Sequence, residues 1–440
     1  MKKVLIISYY FPPSGGSGVQ RTLKFVKYLQ AFGWMPVVLT ARDADYPAYD
    51  ETLCAEIPGT VKVYRAPLFE PYRLYRKFTG RSAAAATDIA TLTLDDRHKR
   101  SWPERISEFV RASFFIPDAR IAWLYPACRL GKKIIEDENI RLIFSSAPPY
   151  TCHLIGRKLQ HATGLPWVAD FRDSWIGWLS TPQWRPRPAR ALEKRMEQGV
   201  LRDANRILTV SCGVKEDLLS RNPDCLDERW ALLPNGYDAQ DFIGLPVLPK
   251  RQGLTITYTG SLYGNRNPHY LLKALEFLQS QGNPHVDALR ILLVGRVGEA
   301  ILGEIADSKA GHLFEHIPYV KHRESLAYLQ NSDASLLIID DAPANRGILT
   351  GKIYEYIGAG HPIIALAPEG EAANLIRVNR LGWVAPPNDP LAIARVLDTA
   401  LTQLKNNPQR GAAAAPERFE RRAQTGLLAQ LFDELTQDAS

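Results

Sequence analysis

The chain has 440 residues, 45% of them hydrophobic and 23% charged, with a formal net charge of +7. That composition is ordinary for a soluble globular protein, and the length exceeds one typical domain, fitting two of roughly 200 residues each. Five scattered cysteines (Cys54, Cys128, Cys152, Cys212, Cys225) form no C-x-x-C pair. This argues against a disulfide framework or a zinc site and for a reducing compartment.

Taken from the start, Met1-Lys-Lys-Val-Leu-Ile-Ile-Ser8 has too short an apolar run for a signal peptide, and Tyr9-Tyr-Phe-Pro-Pro13 interrupts it. Val4–Ser8 reads as a buried first strand. Further strands are expected at Pro36–Thr40, Val61–Arg65, Leu142–Ser146, Trp167–Phe171 and Ile207–Ser211. Between them lie amphipathic patterns such as Val19, Leu23, Val26 and Leu29, spaced as one helix face. Asn235-Gly236 reads as a turn, and Pro246 to Gly253, rich in Pro and Lys/Arg, reads as a linker. The pattern then restarts with strands at Ile256–Thr259, Arg290–Val294, Ser335–Asp340, Pro362–Leu366 and Trp383–Ala385. Phe419, Leu427, Leu428, Leu431 and Phe432 mark a terminal amphipathic helix over 416–435, and 80–95 reads as a mobile loop. Strands alternating with helices predict right-handed βαβ units and parallel sheets. The expected architecture is two doubly wound α/β domains in series, with the ligand at the strand ends and a cleft between the domains as the natural site. No stretch approaches the ~18–20 apolar residues of a membrane span.

Charge is uneven along the chain. Residues 1–235 carry 35 Lys and Arg against 25 Asp and Glu, and the remainder 19 against 22. The basic half either meets an anionic partner or presents a solvated basic surface. Trp102, Phe109, Phe114, Phe115, Ile116, Trp123 and Leu124 alternate with Lys99, Arg100, Arg105, Arg111 and Arg120. Rings among cations suit an anionic membrane surface or a single-stranded nucleic acid, and suit equally well core aromatics beneath a basic face.

The segment carrying the most chemistry is Gly347-Ile-Leu-Thr-Gly-Lys-Ile-Tyr-Glu355-Tyr-Ile-Gly-Ala-Gly360. A helix entered through Thr350, Gly351 and Lys352 presents free amides and a positive dipole end, which suit a phosphate. Glu355, one turn on, can accept hydrogen bonds from sugar hydroxyls, so the pair of features points to a nucleotide sugar. Pro12-Pro-Ser-Gly15-Gly16-Ser-Gly18 follows the first strand and lets backbone approach a ligand, or makes a plain tight turn. Its spacing is not G-x-G-x-x-G, so NAD binding stays a rival only. Thr259-Gly260-Ser261-Leu-Tyr-Gly264-Asn-Arg266 does the same in the second half, where Arg266 can clamp a diphosphate or be a solvated loop arginine. Asp170, Arg172 and Asp173 end a buried strand and either orient an acceptor hydroxyl or form a structural ion pair. Asp340-Asp341 is a weak metal signal without a third ligand nearby.

Together these residues resemble the group 1 (family 4) glycosyltransferases of GT-B fold. The likeness runs from Ser8-Tyr-Tyr-Phe-Pro-Pro-Ser-Gly-Gly16 through Ser145-Ser-Ala-Pro-Pro149, Asp170-Phe-Arg-Asp173 and Thr259-Gly-Ser-Leu-Tyr263 to Lys352-Ile-Tyr-Glu-Tyr-Ile-Gly-Ala-Gly-His-Pro362. The resemblance implies an acceptor domain over 1–240, a donor domain over 241–415, and a terminal helix over 416–440 packing back on the first. It implies a nucleotide-diphosphate sugar as donor, no cofactor, no required metal, and retention of anomeric configuration. It assigns Glu355 to the donor ribose, Thr350, Gly351 and Lys352 to the pyrophosphate, and Gly15 and Gly16 to the same phosphates. Two departures stand out. Gly347 occupies the place of a second family glutamate, leaving Asn345 or Arg346 to touch the donor sugar. Ser261 occupies that of an arginine, leaving Arg266 as the phosphate cation. Arg266, Lys352, Asp170, Arg172 and Asp173 are the residues expected nearest the chemistry.

The acceptor expected is a glycan or a polyprenyl-phosphate-linked sugar of bacterial surface polysaccharide. The enzyme would then be cytoplasmic, or peripheral on the inner face of the membrane, with no nucleic acid as partner. The alternatives are a 2-epimerase-like enzyme of the same fold that transfers nothing, and a basic nucleic-acid-binding protein, for which no recognisable signature is present.

Overall fold

A computed structural model describes residues 1–46, 48–68, 115–176, 185–225, 227–249, 252–347, 349–406 and 416–437. The chain divides into two units, Met1–Pro234 with Arg422–Ser440, and Asn235–Arg421. The first holds β1 (Lys2–Ile7), α1 (Ser17–Tyr28), β2 (Trp34–Arg42), β3 (Lys62–Pro67), α2 (Leu124–Glu138), β4 (Leu142–Ala147) and α3 (Thr151–Thr163). It continues with β5 (Trp167–Phe171), α4 (Arg187–Asp203), β6 (Arg206–Thr209), α5 (Cys212–Arg221) and β7 (Trp230–Leu232). Its strands form one parallel sheet of order β3-β2-β1-β4-β5-β6-β7.

Burial on both faces explains why these strands read as continuous apolar runs. Leu5 and Ile7 face one core with Leu39 and Ile143, while Val4 and Ile6 face the other with Val38 and Phe144. Both cores are needed because helices cover both faces of a parallel sheet.

The second unit holds β8 (Leu254–Thr259), α6 (His269–Ser280), β9 (Leu289–Val294), α7 (Glu299–Asp307), β10 (Phe314–Ile317), α8 (His322–Gln330) and β11 (Ala334–Ile338). There follow α9 (Gly351–Ala359), β12 (Ile363–Leu366), α10 (Glu371–Val378), β13 (Gly382–Ala385) and α11 (Pro390–Asn406). The six strands are parallel in the order β10-β9-β8-β11-β12-β13. Each sheet thus reverses its winding once, between β1 and β4 in the first and between β8 and β11 in the second. Ligands of doubly wound sheets bind at such reversals, beyond the strands' carboxyl ends.

The eleven strands expected from sequence are present within about two residues, which is the usual uncertainty of an element's end. β7 and β10 were not foreseen. β7 is apolar but only three residues long, and β10 is an edge strand carrying Glu315 and His316 outward, so the one is too short and the other too polar to stand out.

The break between units lies at Pro234 and Asn235, not at 240 or in the linker expected over Pro246 to Gly253, which lies inside the second unit. Tyr237 explains this: its amide donates to the Phe419 carbonyl (2.9 Å) and its carbonyl accepts from the Arg421 amide (2.8 Å), fastening both crossing segments to the second unit. The chain then enters α12 (Arg421–Gln437), where Leu428 and Phe432 are buried in the first unit's core beside Trp34 and Phe144. Leu427, expected on that apolar face, is 55% exposed, and Phe419 packs instead on Tyr354 in the second unit.

Of the aromatic and cationic band, Lys99, Arg100, Trp102, Arg105, Phe109, Arg111 and Phe114 lie outside the described residues, as does the loop expected over 80–95. Within them, Ile116, Trp123 and Leu124 are buried and Arg120 stacks 5.0 Å from the Tyr9 ring centroid, so this end of the band is core. No helix among the described residues is long and apolar enough to cross a membrane.

Candidate functional site

At the winding reversal of the second sheet, β8 ends at Thr259 and the chain turns through Gly260. Gly260 has φ +111°, and a Cβ there would overlap the Lys352 amine, so only glycine leaves room for that side chain. Lys352 belongs to the first turn of α9 and reaches back under the loop. Its Nζ donates to the Tyr258 hydroxyl (2.7 Å) and sits 4.4 Å from that ring's centroid. The same hydroxyl donates to the Ser261 carbonyl (2.9 Å). Lys352 is half-buried as a residue, yet its amine is enclosed. Burial first, then the Arg266 charge, push it down to about 7 against the pull of Glu355. Burial pushes the Tyr258 phenol up, so it stays a neutral hydroxyl.

Arg266 enters from the same loop, its amide bonded to the Tyr263 carbonyl (3.1 Å). Its Nε lies 3.8 Å from Asp340 Oδ1, just past the end of β11, too far for a hydrogen bond. That Nε and the Thr350 hydroxyl oxygen are both buried with no hydrogen-bond partner among the described residues. Thr350 is the N-cap of α9, yet no side chain caps the helix and no acidic residue occupies its first turn. Two cations, open amides and an orphaned hydroxyl therefore converge without a matching anion. Asp340 neutralises part of the charge. Among the described residues no third carboxylate, His or Cys joins Asp340 and Asp341 in a cluster tight enough to share an ion.

Glu355, one turn along α9, accepts from or shares a proton with His322 Nε2 (3.0 Å), at the start of α8. Both side chains are about a quarter exposed, at 28% and 24%. Asn345 is buried, and its amide donates to the Asp340 carbonyl (2.9 Å), bracing the loop after β11. Arg346 beside it is exposed. Of the two candidates to replace the glutamate missing at Gly347, Asn345 has thus committed its amide N–H to the frame.

The first unit is built differently. Gly16, at φ +84°, opens α1 with no side-chain cap, and the Gly15 amide donates to the Ala48 carbonyl (2.9 Å). Asp170, at the end of β5, is fully buried and receives Arg21 Nη2 (2.7 Å), Arg21 Nε (3.0 Å) and the Ser146 hydroxyl (2.7 Å). Burial alone would raise its carboxyl, but Arg21, Ser146 and Arg172 hold it below the ordinary value. Its ion-pair partner is Arg21, which the sequence reading did not single out, and not Arg172. Arg172 instead spends its donors on the carbonyls of Ala147, Pro148 and Gly18, tying β4 to α1. Asp173, three places on, is exposed.

Tyr258 and His322 carry no sequence signal for the site, while Gly260 is legible as a loop glycine but not as the neighbour of Lys352. Gly260 had a signal in its position between strand and loop; Tyr258 looked like any inward strand residue, and nothing local links His322 to Glu355.

Two units, each a doubly wound parallel sheet with a single winding reversal, are the architecture of the GT-B enzymes. A protein of Anabaena, HepE, solved in complex with UDP, superposes with a TM-score of 0.61 at 14% identity, covering 99% of this chain and 100% of that one. The lipopolysaccharide outer core galactosyltransferase WaaB superposes at 0.57 with 10% identity, covering 98% and 99%. At those identities the likeness is one of fold. The sequence is more specific: residues 81–241 match the model of Glycosyltransferase Family 4 and residues 253–403 that of Glycosyl transferases group 1. The chain belongs to this family of glycosyltransferases. Over 67 residues it is 34% identical to a probable glycosyltransferase, WbjE, of Pseudomonas aeruginosa, a stretch that is 15% of this chain and 16% of that relative.

Proposed function

We propose that the protein transfers a sugar, with retention, from a nucleotide-diphosphate sugar to a glycan or lipid-linked acceptor of surface polysaccharide. The observation that carries this reading is the pair Lys352 and Arg266 at the uncapped start of α9, two cations against one distant carboxylate, Asp340 at 3.8 Å from Arg266. In the reaction the bond from the anomeric carbon to the diphosphate oxygen breaks and one to the acceptor oxygen forms. The acceptor proton ends on the departing diphosphate. Lys352, Arg266, and the Thr350 and Gly351 amides stabilise the charge that develops on that leaving group. Ser261 lines the same loop, and Glu355 takes the ribose hydroxyls. Gly15 and Gly16 are assigned to the donor phosphates by the resemblance alone.

Asp170 and Arg172 serve this reading as the frame of the first unit rather than as acid or base, and exposed Asp173 is the one of the three free to meet an acceptor. UDP bound to HepE supports a nucleoside diphosphate as ligand, and the name of WaaB, a lipopolysaccharide outer core galactosyltransferase, favours a surface glycan over other acceptors. Metal independence follows from the resemblance. Attachment to the inner face of the cytoplasmic membrane rests on the sequence of the 99–114 band.

Calorimetric titration with UDP, GDP and NAD, without added metal, tests the reading on wild type and Glu355→Ala. A nucleoside diphosphate that binds, and binds about tenfold more weakly in the variant, is the expected result, since a charged hydrogen bond is lost. Binding of NAD alone, or of none, overturns it.

A further inference from the structure

Lys352 is a flexible side chain on a helix, yet among the described residues the hydrogen bond and the ring that fix its amine both come from one residue on a different element. Tyr258 lies 94 positions away and is 1% exposed. Its hydroxyl takes the Lys352 proton at 2.7 Å, and its ring lies under the charge with the centroid at 4.4 Å. The phenol has one proton, and it goes to the Ser261 carbonyl (2.9 Å). The hydroxyl therefore couples two parts of the site: the Gly260–Ser261 turn and the α9 amine. Gly260 closes the seat from above, since any Cβ there would occupy the amine's place. No carboxylate lies within ion-pair distance of this amine among the described residues, whose charged neighbours are Arg266 and Glu355, with Asp340 beyond Arg266. An ammonium seated on a neutral phenol rather than on a carboxylate keeps its charge available to an incoming anion.

We propose that Tyr258 is a positioning residue for the donor diphosphate, holding the Lys352 ammonium and the Ser261 turn in register with the start of α9. This rests on the reading of that site as the diphosphate site. It adds that affinity for the diphosphate, separately from affinity for the nucleoside, depends on a hydroxyl that never touches the ligand. Because burial and the Arg266 charge push this amine down to about 7, diphosphate binding draws a proton onto it, and affinity falls as pH rises past 7.

The test is calorimetry on the full chain with inorganic pyrophosphate, UDP, GDP, uridine and guanosine, for wild type, Tyr258→Phe and Lys352→Arg. The Phe variant keeps the ring and the fold while losing the hydroxyl. Its pyrophosphate and nucleoside diphosphate affinity should fall about tenfold, its nucleoside affinity should not change, and the midpoint of the pH dependence should move. Lys352→Arg, which retains the charge and loses the seat, should show the same diphosphate-specific loss and no fall in UDP or GDP affinity between pH 7 and 9, where those ligands are already fully ionised, and it decides the matter if the Phe variant fails to fold. Both variants binding diphosphates like wild type, with the same pH profile, would overturn the positioning role and leave the site assignment standing. Failure of wild type to bind any diphosphate would overturn the site assignment and the inference with it.

Discussion

The two winding reversals have the same topology and opposite electrostatics. In the first unit the cations at the strand ends are fully engaged at each nitrogen: Arg21 bonds Asp170 and the Leu233 and Pro234 carbonyls, and Arg172 bonds three carbonyls. In the second, Lys352 rests on a phenol and Arg266 stands 3.8 Å from its carboxylate. A buried cation with full partners stiffens a frame; one left short of partners is poised for a ligand. Two copies of one architecture thus serve different ends, and the difference lies in where the counter-charges are.

The largest expected effect is on the frame. Asp170→Ala leaves Arg21 buried and unpaired and should cost about 3–5 kcal/mol of stability in denaturant unfolding. A loss below about 1 kcal/mol would mean that the first reversal is not a structural ion pair. Lys352→Gln should do the reverse, leaving the melting temperature unchanged or higher while pyrophosphate affinity drops about tenfold or more.

Acid and base separate the two units further. Burial, with the Arg172 charge, pushes the His153 imidazole down to about 3 against the pull of Asp170. The unfolded chain then binds the proton first. The stability His153 brings is whole above pH 6.5 and is lost between there and about pH 3, at a slope approaching about 1.4 kcal/mol per pH unit. His153→Gln should flatten that slope. Lys352, pushed down from 10.5 to about 7, gives a slope of the same sign in a higher window, stability rising with pH from 7 to 10.5 while diphosphate affinity falls. Unfolding curves and calorimetry across those two windows check both. The smallest effect is at Asp340. Asp340→Asn frees Arg266 from its distant partner and should tighten pyrophosphate binding by about two- to threefold, the worth of a weak, loosely placed pair; looser binding would make Asp340 part of the cradle.

The primary structure determined the strands that are long and apolar, because a strand buried on both faces writes its pattern locally, as Leu5–Ile7 and Ile363–Leu366 do. It determined the uncapped start of α9 for the same reason, since Thr350, Gly351, Lys352 and Glu355 are neighbours along one helix. Short or polar edge strands, β7 and β10, left no such trace. Neither did partnerships across the chain: Arg21 with Asp170 at a separation of 149 residues, Tyr258 with Lys352 at 94, His322 with Glu355 at 33. Those choices were made by the tertiary structure, because which polar group ends beside a buried charge depends on how the sheets wind, and no spacing in the sequence records it.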